Sequence, residues 1–287
     1  MIYRDRMLNI HLHPILIIFG IIAFFTGTFI EFFIILFIVI VHELGHYTVA
    51  RTLNWRIQSI TLWVFGGVMI TDEHGNKPIW EELLVTIGGP FQHLLIYTVI
   101  FLLDGFIPSY WLELIYFYNT IIFVFNLLPI WPLDGGKLLF LCLSFFMPFR
   151  QSYHFIIKFS MLLTVCFIIY QLFIYSFTLS SFFIMIFLFM ENRNAWKHKY
   201  YVFIRFLLER YKKNRETRRN SPIIVESGTL IMEVFSKFIR DQNHTIYITD
   251  LHKNNCQQVI HENDCLHSFF HQKQYYLTID EVVKQLK

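Results

Sequence analysis

Long apolar runs separated by short polar stretches dominate the first 190 residues of the chain. A bilayer is crossed by a helix of roughly 20 apolar residues, so this pattern predicts about six transmembrane helices. A shorter run from Leu138 to Phe149 is predicted to lead at an angle into the fifth helix. The predicted spans cover about His13–Phe29, Phe32–Ala50, Trp80–Leu103, Trp111–Leu128, Ile156–Tyr175 and Phe177–Met190.

A different pattern separates the second and third spans, where Ile, Thr, Val, Trp and Phe flank Gly66 and Gly67 between Arg56 and Asp72. β-Branched and aromatic residues around a glycine pair predict a β-hairpin-like loop that is too interrupted to cross a membrane. Its free edge could hold an extended substrate segment through backbone hydrogen bonds. A simple interfacial connector explains the pattern equally well.

The pattern changes again after the last apolar run, which places the membrane domain at residues 1–195. Residues 196–222 are rich in basic and aromatic residues and predict a membrane-proximal linker, whose helix follows anionic headgroups. A solvated basic linker is the alternative. The basic side chains of this linker include Arg205, Arg210, Lys212, Lys213, Arg215, Arg218 and Arg219.

Residues 223–287 have the composition of a soluble domain and predict a small α+β fold. A helix is expected over Thr229–Arg240, between two strands, and a final helix over Ile279–Leu286. A domain of this size is at the small end for independent stability, so self-association into a homo-oligomer would stabilise it.

The composition indicates an integral membrane protein, with 55% hydrophobic residues, 33 Phe and only 16% charged residues. The net charge of +3 is small, so nucleic acid is not a predicted partner. The four Cys have no C-x-x-C spacing and predict reduced cytoplasmic thiols. Loops that carry Lys and Arg alternate with loops that carry none, so the positive-inside rule predicts that both termini are cytoplasmic.

The second predicted span contains the sequence H-E-L-G-H at residues 42–46. Four residues make a little over one helical turn, so His42 and His46 project from one face and can hold one metal ion, while Glu43 reaches a water molecule. Ionisable groups at bilayer depth are costly without partners. The motif therefore predicts a zinc hydrolase site, and a hydrogen-bonded polar cluster is the alternative.

A catalytic zinc site usually takes three protein ligands and leaves one position for water, so the two histidines need a third partner. Asp134 is the predicted third ligand because two prolines and two glycines within residues 129–136 should hold it in irregular backbone at membrane depth. The predicted topology also places it at the same membrane side as the histidines. The competing carboxylates, predicted at the opposite side, are Glu31, Asp104 and Glu113.

The sequence assigns less specific roles to Asn126 and to four further histidines. Asn126 could hydrogen-bond the substrate backbone or cap the broken helix in which it lies. Four further histidines lack a partner at helical spacing and are interpreted as packing or surface residues rather than ligands. They are His11, His13, His74 and His93.

Three motifs together, H-E-L-G-H, G-G-P at residues 88–90 and N-L-L-P-I-W-P-L-D-G-G at residues 126–136, resemble the site-2 protease family of intramembrane zinc metalloproteases. The resemblance implies hydrolysis of a peptide bond in a membrane-associated protein near the cytoplasmic face. Glu43 is then the catalytic glutamate, and the implied Zn²⁺ ligands are His42, His46 and Asp134.

The tail at residues 223–287 resembles a cystathionine-β-synthase (CBS) domain, which implies ATP as a regulatory ligand. A six-span core followed by one such domain is similar to the sporulation members of the family. That likeness implies removal of the pro-sequence of the sigma factor pro-sigma-K at the outer forespore membrane, facing the mother cell. It also implies membrane-bound inhibitory proteins as partners.

Two other classes of function compete with the protease. The first is a catalytically silent membrane receptor or scaffold with a structural metal and a nucleotide-sensing tail, but a closed structural site would offer four protein ligands and the sequence supplies three. The second is a zinc-dependent transporter. It is disfavoured because the predicted ligands lie at one membrane side rather than at the midplane, where transporters bind their substrates.

Overall fold

The computed structural model describes residues 9–12, 14–63, 66–71, 77–173, 178–212, 220–249, 256–272 and 276–286. Helices predominate among them. The chain divides into two compact units, which are described separately. The first unit comprises Met1–Leu138 and Cys166–Leu188, and the second comprises Leu139–Val165 and Phe189–Lys287.

The elements follow one another in the order strand, helices, hairpin, helices and a final mixed domain. The first part contains β1 (Asn9–Leu12), α1 (Pro14–Thr26), α2 (Phe29–Thr52), β2 (Ile57–Trp63), β3 (Gly66–Thr71), α3 (Ile79–Leu103) and α4 (Ser109–Asn126). The middle contains α5 (Asp134–Phe146), α6 (Phe149–Phe173), α7 (Leu179–Lys197) and α8 (Lys199–Lys212). The last part contains β4 (Asn220–Glu226), α9 (Ile231–Phe235), β5 (Asn243–Thr249), β6 (Cys256–His261), α10 (Glu262–Phe270) and α11 (Ile279–Leu286).

Three helices of the described residues, α2, α3 and α6, are long and apolar enough to cross a membrane. They match the second, third and fifth predicted spans. The first predicted span corresponds to the shorter α1, which has 13 residues, so the count of six stays a prediction. Helix α6 begins at Phe149, earlier than the predicted start, and the predicted boundary between Tyr175 and Phe177 lies outside the described residues.

The predicted hairpin is present, because β2 pairs antiparallel with β3. Strand β1 pairs parallel with β2, so the sheet has the order β1-β2-β3 and β3 lies at its end. A small core fixes the hairpin to the ends of α2 and α3. This core is built on Ala50, Trp55 and Val85, with Ile57 and Met69 of the hairpin packed against it.

The second unit contains a three-stranded sheet of order β4-β5-β6, in which β4 and β5 are parallel and β5 and β6 antiparallel. Helices α9, α10 and α11 bury apolar side chains in its core, among them Phe235, Leu266 and Val282. The predicted helix over Thr229–Arg240 is shorter than expected, since α9 ends at Phe235.

Helix α8 packs into the second unit rather than lying free along headgroups. Its apolar side chains Phe203, Phe206 and Leu207 are buried, and the Phe206 ring stacks on Phe149 with a centroid distance of 4.2 Å. The polar face of α8 is therefore available for contacts other than packing in this core. The domain boundaries at residues 195 and 222 stay predictions, and Lys213, Arg215, Arg218 and Arg219 lie outside the described residues.

The prediction of a headgroup contact is wrong for Arg210. Its guanidinium forms a bidentate pair with Glu262, with Nε–Oε1 and Nη2–Oε2 distances of 3.0 and 2.6 Å. It also donates to the carbonyl oxygens of Ile239 and Gln242. Because bidentate pairing supplies both energy and direction, Arg210 fixes α8 to the β-domain.

We expect the second unit to lose stability as the pH falls from about 6.5 towards 4, because His244 is buried as the neutral form. Its Nε2 accepts a hydrogen bond of 2.8 Å from the Ile239 amide, and burial followed by the Arg210 charge lowers the pKa of His244 to about 4. In the unfolded chain, where the pKa of a His is about 6.5, this side chain therefore binds a proton at a higher pH than in the folded unit. Proton binding to the unfolded chain lowers the free energy of unfolding by up to about 3 kcal/mol.

The buried thiol of Cys265 reports this opening. The experiment uses full-length protein in which the other cysteines are replaced. The alkylation rate of Cys265 is divided by the rate in denaturant at the same pH, and this corrected rate should rise as the pH falls. In His244→Gln the corrected rate should change much less between pH 6.5 and 4. Equal pH dependence in both proteins would show that another group controls the stability.

Candidate metal centre

The H-E-L-G-H segment lies on α2, where helical geometry places His42 and His46 one above the other. Helix α3 approaches this face so closely that a Cβ on Gly45 would overlap the carbonyl oxygen of Gly88, and a Cβ on Gly88 would lie 2.7 Å from the carbonyl oxygen of Gly45. The next residue, Gly89, leaves room for both imidazole rings. Glycine at these positions therefore lets two histidines fit between two membrane helices.

Three ligand atoms meet in this space. The Nε2 atoms of His42 and His46 lie 3.1 Å apart, and each lies 3.1 Å from Oδ2 of Asp134. All three side chains are buried, with at most 6% of each residue exposed. The structure thus brings together the three predicted ligands, which form a group that could hold a metal ion.

The donor set and its spacing fit Zn²⁺. Zinc binds imidazole nitrogen and carboxylate oxygen at about 2.0–2.1 Å, so tetrahedral ligands lie roughly 3.3 Å from one another. The equal 3.1 Å separations are close to that value. A tetrahedral ion above this triangle would keep one further position for water or substrate.

Asp134 is placed differently from the prediction of irregular backbone. The irregular segment between α4 and α5 ends before it, and Asp134 is the first residue of α5. A helix N-terminus is a favourable place for a carboxylate because the backbone N–H groups point towards it. Lys137, one turn later, contacts Oδ1 at 3.2 Å, which leaves Oδ2 directed at the histidines.

Glu43 lies beside the histidines on α2 and is 93% buried, with a relative exposure of 7%. Its Oε1 accepts a hydrogen bond of 3.0 Å from the backbone N–H of Gly67 in strand β3. A Cβ on Gly67 would lie 2.5 Å from Glu43 Cδ, so only glycine allows this approach. The end strand of the sheet therefore lies directly against the carboxylate that the motif predicts to be catalytic.

A hydrogen-bond chain behind His42 sets the tautomer of its ring. The Asn119 Nδ2 donates to the carbonyl oxygen of His93, so Asn119 Oδ1 accepts from His93 Nδ1 at 2.7 Å. His93 Nε2 then carries a lone pair and accepts from His42 Nδ1 at 3.1 Å. His42 Nε2 is consequently unprotonated and faces Asp134, as a metal ligand requires.

A single hydrogen bond to α3 orients the His46 ring. Its Nδ1 donates to the carbonyl oxygen of Val85 on α3 at 2.8 Å, so its Nε2 also presents a lone pair to the centre. Groups on α3 thus hold both rings with Nε2 directed at Asp134. Such outer partners fix the ring orientation of metal-binding histidines.

His93 and Asn119 are functional candidates that the sequence interpretation missed. His93 was expected to be a packing or surface residue; it is fully buried, and so is Asn119. The available signal was spacing, since His93 lies one helical turn after Gly89 and therefore on the same face of α3. The fifth predicted site residue, Asn126, donates from Nδ2 to the Ile122 carbonyl oxygen at 3.0 Å within α4, and its substrate contact stays a prediction.

Comparison with known proteins identifies the family and several relatives of the chain. The model of "Peptidase family M50" matches residues 30–110 and 105–169. Stage IV sporulation protein FB of Bacillus subtilis is 36% identical over 284 residues, which cover 98% of each chain. A zinc metalloprotease of Methanocaldococcus jannaschii is 36% identical over 121 residues, 39% of this chain and 34% of the relative.

A solved structure, the site-2 protease from Methanocaldococcus jannaschii, shares the fold with a TM-score of 0.53 and 23% identity, over 68% of this chain and 93% of that one. The fold and the family match define a membrane metalloprotease. The chain belongs to peptidase family M50, the site-2 proteases.

We expect Asn119→Leu to weaken zinc binding about 10- to 100-fold, because loss of the Oδ1 acceptor frees His93 to adopt the tautomer that no longer accepts from His42. The measurement is competition with a calibrated zinc chelator for the purified full-length protein. Thr120→Val on the same helix is the matched control, since Thr120 bonds Tyr97 and the Tyr116 carbonyl. Equal zinc affinity in Asn119→Leu and wild type would contradict the tautomer assignment.

Proposed function

We propose that His42, His46 and Asp134 hold a catalytic Zn²⁺ and that the protein hydrolyses a peptide bond of a membrane-associated substrate near the cytoplasmic face. The observation that carries this proposal is the triangle of three ligand atoms at 3.1 Å beside Glu43. Zn²⁺ held there supplies a Lewis acid that polarises the scissile carbonyl and activates water. The arrangement leaves a position open, as catalytic rather than structural zinc sites do.

Glu43 is the proposed general base. Its carboxylate takes a proton from the attacking water and passes it to the amine nitrogen that leaves when the C–N bond breaks. The Gly67 N–H supports this role because it fixes one carboxylate oxygen at 3.0 Å while the other remains for the proton. Burial of Glu43 keeps bulk water away from the transfer.

Strand β3 is the proposed docking edge for the substrate. It lies at the end of the sheet among the described residues, and its Gly67 amide already touches Glu43. A peptide bond inside a helix is shielded by its own hydrogen bonds, so the substrate must unwind locally and pair with β3 as an extended segment. Asn126, at the end of α4, is proposed to bind the substrate backbone alongside.

The proposed substrate is pro-sigma-K, whose pro-sequence the enzyme removes. Support comes from the similarity to stage IV sporulation protein FB, which extends over 98% of both chains. By the same argument, we place the enzyme in the outer forespore membrane with membrane-bound inhibitory proteins as partners. The proposed topology has six spans with both termini cytoplasmic, which puts the metal centre on the side of the mother cell.

The second unit supports a regulatory proposal. Its strands and helices β4, α9, β5, β6 and α10 follow the order expected of a CBS-like domain. We propose that residues 223–287 form this domain, that residues 196–222 link it to the membrane domain at 1–195, and that ATP binding controls cleavage. A homo-oligomer would bury the surface of a domain this small.

The decisive comparison uses purified full-length protein and pro-sigma-K, with zinc content measured on the same samples. Glu43→Gln should keep zinc and lose at least about 100-fold in cleavage rate, because only the proton acceptor is removed. Asp134→Asn should lose both zinc and cleavage. Glu31→Gln, at the other end of α2, is the matched control and should behave as wild type.

Cleavage by Glu43→Gln at the wild-type rate would contradict the role of Glu43. Wild-type protein that is fully loaded with zinc and cleaves another membrane substrate, but not pro-sigma-K, would overturn the substrate assignment alone.

A further inference from the structure

A cluster of basic and aromatic side chains in the second unit serves no role in the site described above. It is formed where α6, α7 and α8 meet. Lys199 Nζ lies 3.6 Å from the centroid of the Trp196 ring, and Lys158 Nζ lies 5.4 Å from the same centroid. Two ammonium groups from different helices therefore approach one indole.

Helix α6 contributes a basic face to this cluster. Arg150, His154 and Lys158 are spaced four residues apart and so lie on one side of the helix. The His154 ring is 5.3 Å from the Trp196 ring and interacts electrostatically with Lys199, Arg150 and Lys158. The Arg150 guanidinium lies 5.9 Å from the Tyr200 ring, so the third cation is also held against an aromatic group.

The positive charge of this cluster is not balanced by carboxylates. None of the ion pairs between described residues includes Arg150, Lys158 or Lys199. The Arg150 and Lys199 side chains are half-buried, which weakens the screening of their repulsion by water. Contact with aromatic faces attracts a cation but leaves its charge in place. The arrangement therefore calls for an external anion.

The position of the cluster along α6 indicates which anion this is. Residues 159–173 of α6 contain no charged side chain, whereas the basic face occupies the turns immediately before them. This order matches a helix that enters the hydrocarbon after passing the headgroup layer, where Trp, Lys and Arg are enriched. Lys158 begins about 12 Å further along the helix than Arg150, and its long side chain can extend back towards the same level.

We propose that Arg150, His154, Lys158, Trp196 and Lys199 form a binding site for the phosphate of an anionic phospholipid. The site lies mainly on α6 and the α7–α8 junction, and so differs from a general attraction of residues 196–222 to the membrane surface. Phosphate oxygens accept hydrogen bonds from the three cations, and Trp196 packs beside the glycerol backbone. A bound lipid thereby ties the start of α6 to the start of α8.

The test is native mass spectrometry of delipidated full-length protein titrated with phosphatidylglycerol, phosphatidylcholine or inorganic phosphate. Wild type should bind one phosphatidylglycerol at least tenfold more tightly than phosphatidylcholine. The triple variant Arg150→Gln, Lys158→Gln, Lys199→Gln should lose about 100-fold in phosphatidylglycerol affinity, and Lys199→Gln alone about fivefold, since each cation near a membrane surface contributes about a factor of five.

The matched control replaces three exposed lysines elsewhere in the same unit, Lys212, Lys237 and Lys284. Its affinity for phosphatidylglycerol should stay within twofold of the wild-type value. Zinc content and protection of Cys265 from alkylation show that each variant is folded. An equal loss in the control variant would overturn the proposal, as would equal binding of the two lipids. Inorganic phosphate that displaces the lipid at equal concentration would show a free-phosphate site instead.

Discussion

The close contact between α2 and α3 at Gly45 and Gly88 is the constraint on which the candidate metal centre depends. No Cβ fits at either position without overlap or severe crowding of the other backbone. Three successive turns of α3 contact the two histidines of the motif. The Val85 carbonyl accepts a hydrogen bond, Gly89 leaves room for the rings, and the His93 ring accepts a hydrogen bond. A larger residue at the crossing would move all three together, so one helix separation sets both the orientation of the rings and the spacing of the candidate ligands.

Burial explains why the imidazoles and carboxylates of this site are so fully hydrogen-bonded. An unpaired imidazole or carboxylate among membrane helices would cost several kcal/mol, and each one here has partners in the protein. Lys137 donates to Oδ1 of Asp134, and the Gly67 amide donates to Oε1 of Glu43. The Nδ1 atoms of His42 and His46 donate to groups on α3. The same contacts that satisfy these groups aim their remaining lone pairs at one point. Stability and preorganisation therefore come from the same hydrogen bonds, and this agrees with a metalloprotease of family M50.

The sequence identified the site residues that stand out by the residues next to them in the chain. His42 and His46 are related by one helical turn, and Asp134 stands out because prolines and glycines surround it. His93 and Asn119 could not be paired in advance, since their contact depends on how α3 and α4 pack. Helix α9 ends earlier than its apolar pattern because the backbone after Phe235 has other partners: the Lys237 and Phe238 amides bond carbonyls three residues back, and the Ile239 amide donates to the His244 ring. Strand β1 was missed for the same reason, as it forms only by pairing with β2.

The central claim is that Asp134 completes a zinc site with His42 and His46, and X-ray absorption spectroscopy at the zinc edge tests it most directly. The wild-type protein should show only nitrogen and oxygen neighbours at about 2.0–2.1 Å, with the scattering of two imidazoles. Asp134→Cys should add a sulfur neighbour at about 2.3 Å if zinc is retained at this position. A zinc-loaded Asp134→Cys protein with an unchanged, sulfur-free spectrum would contradict the claim, because the metal would then be bound without residue 134.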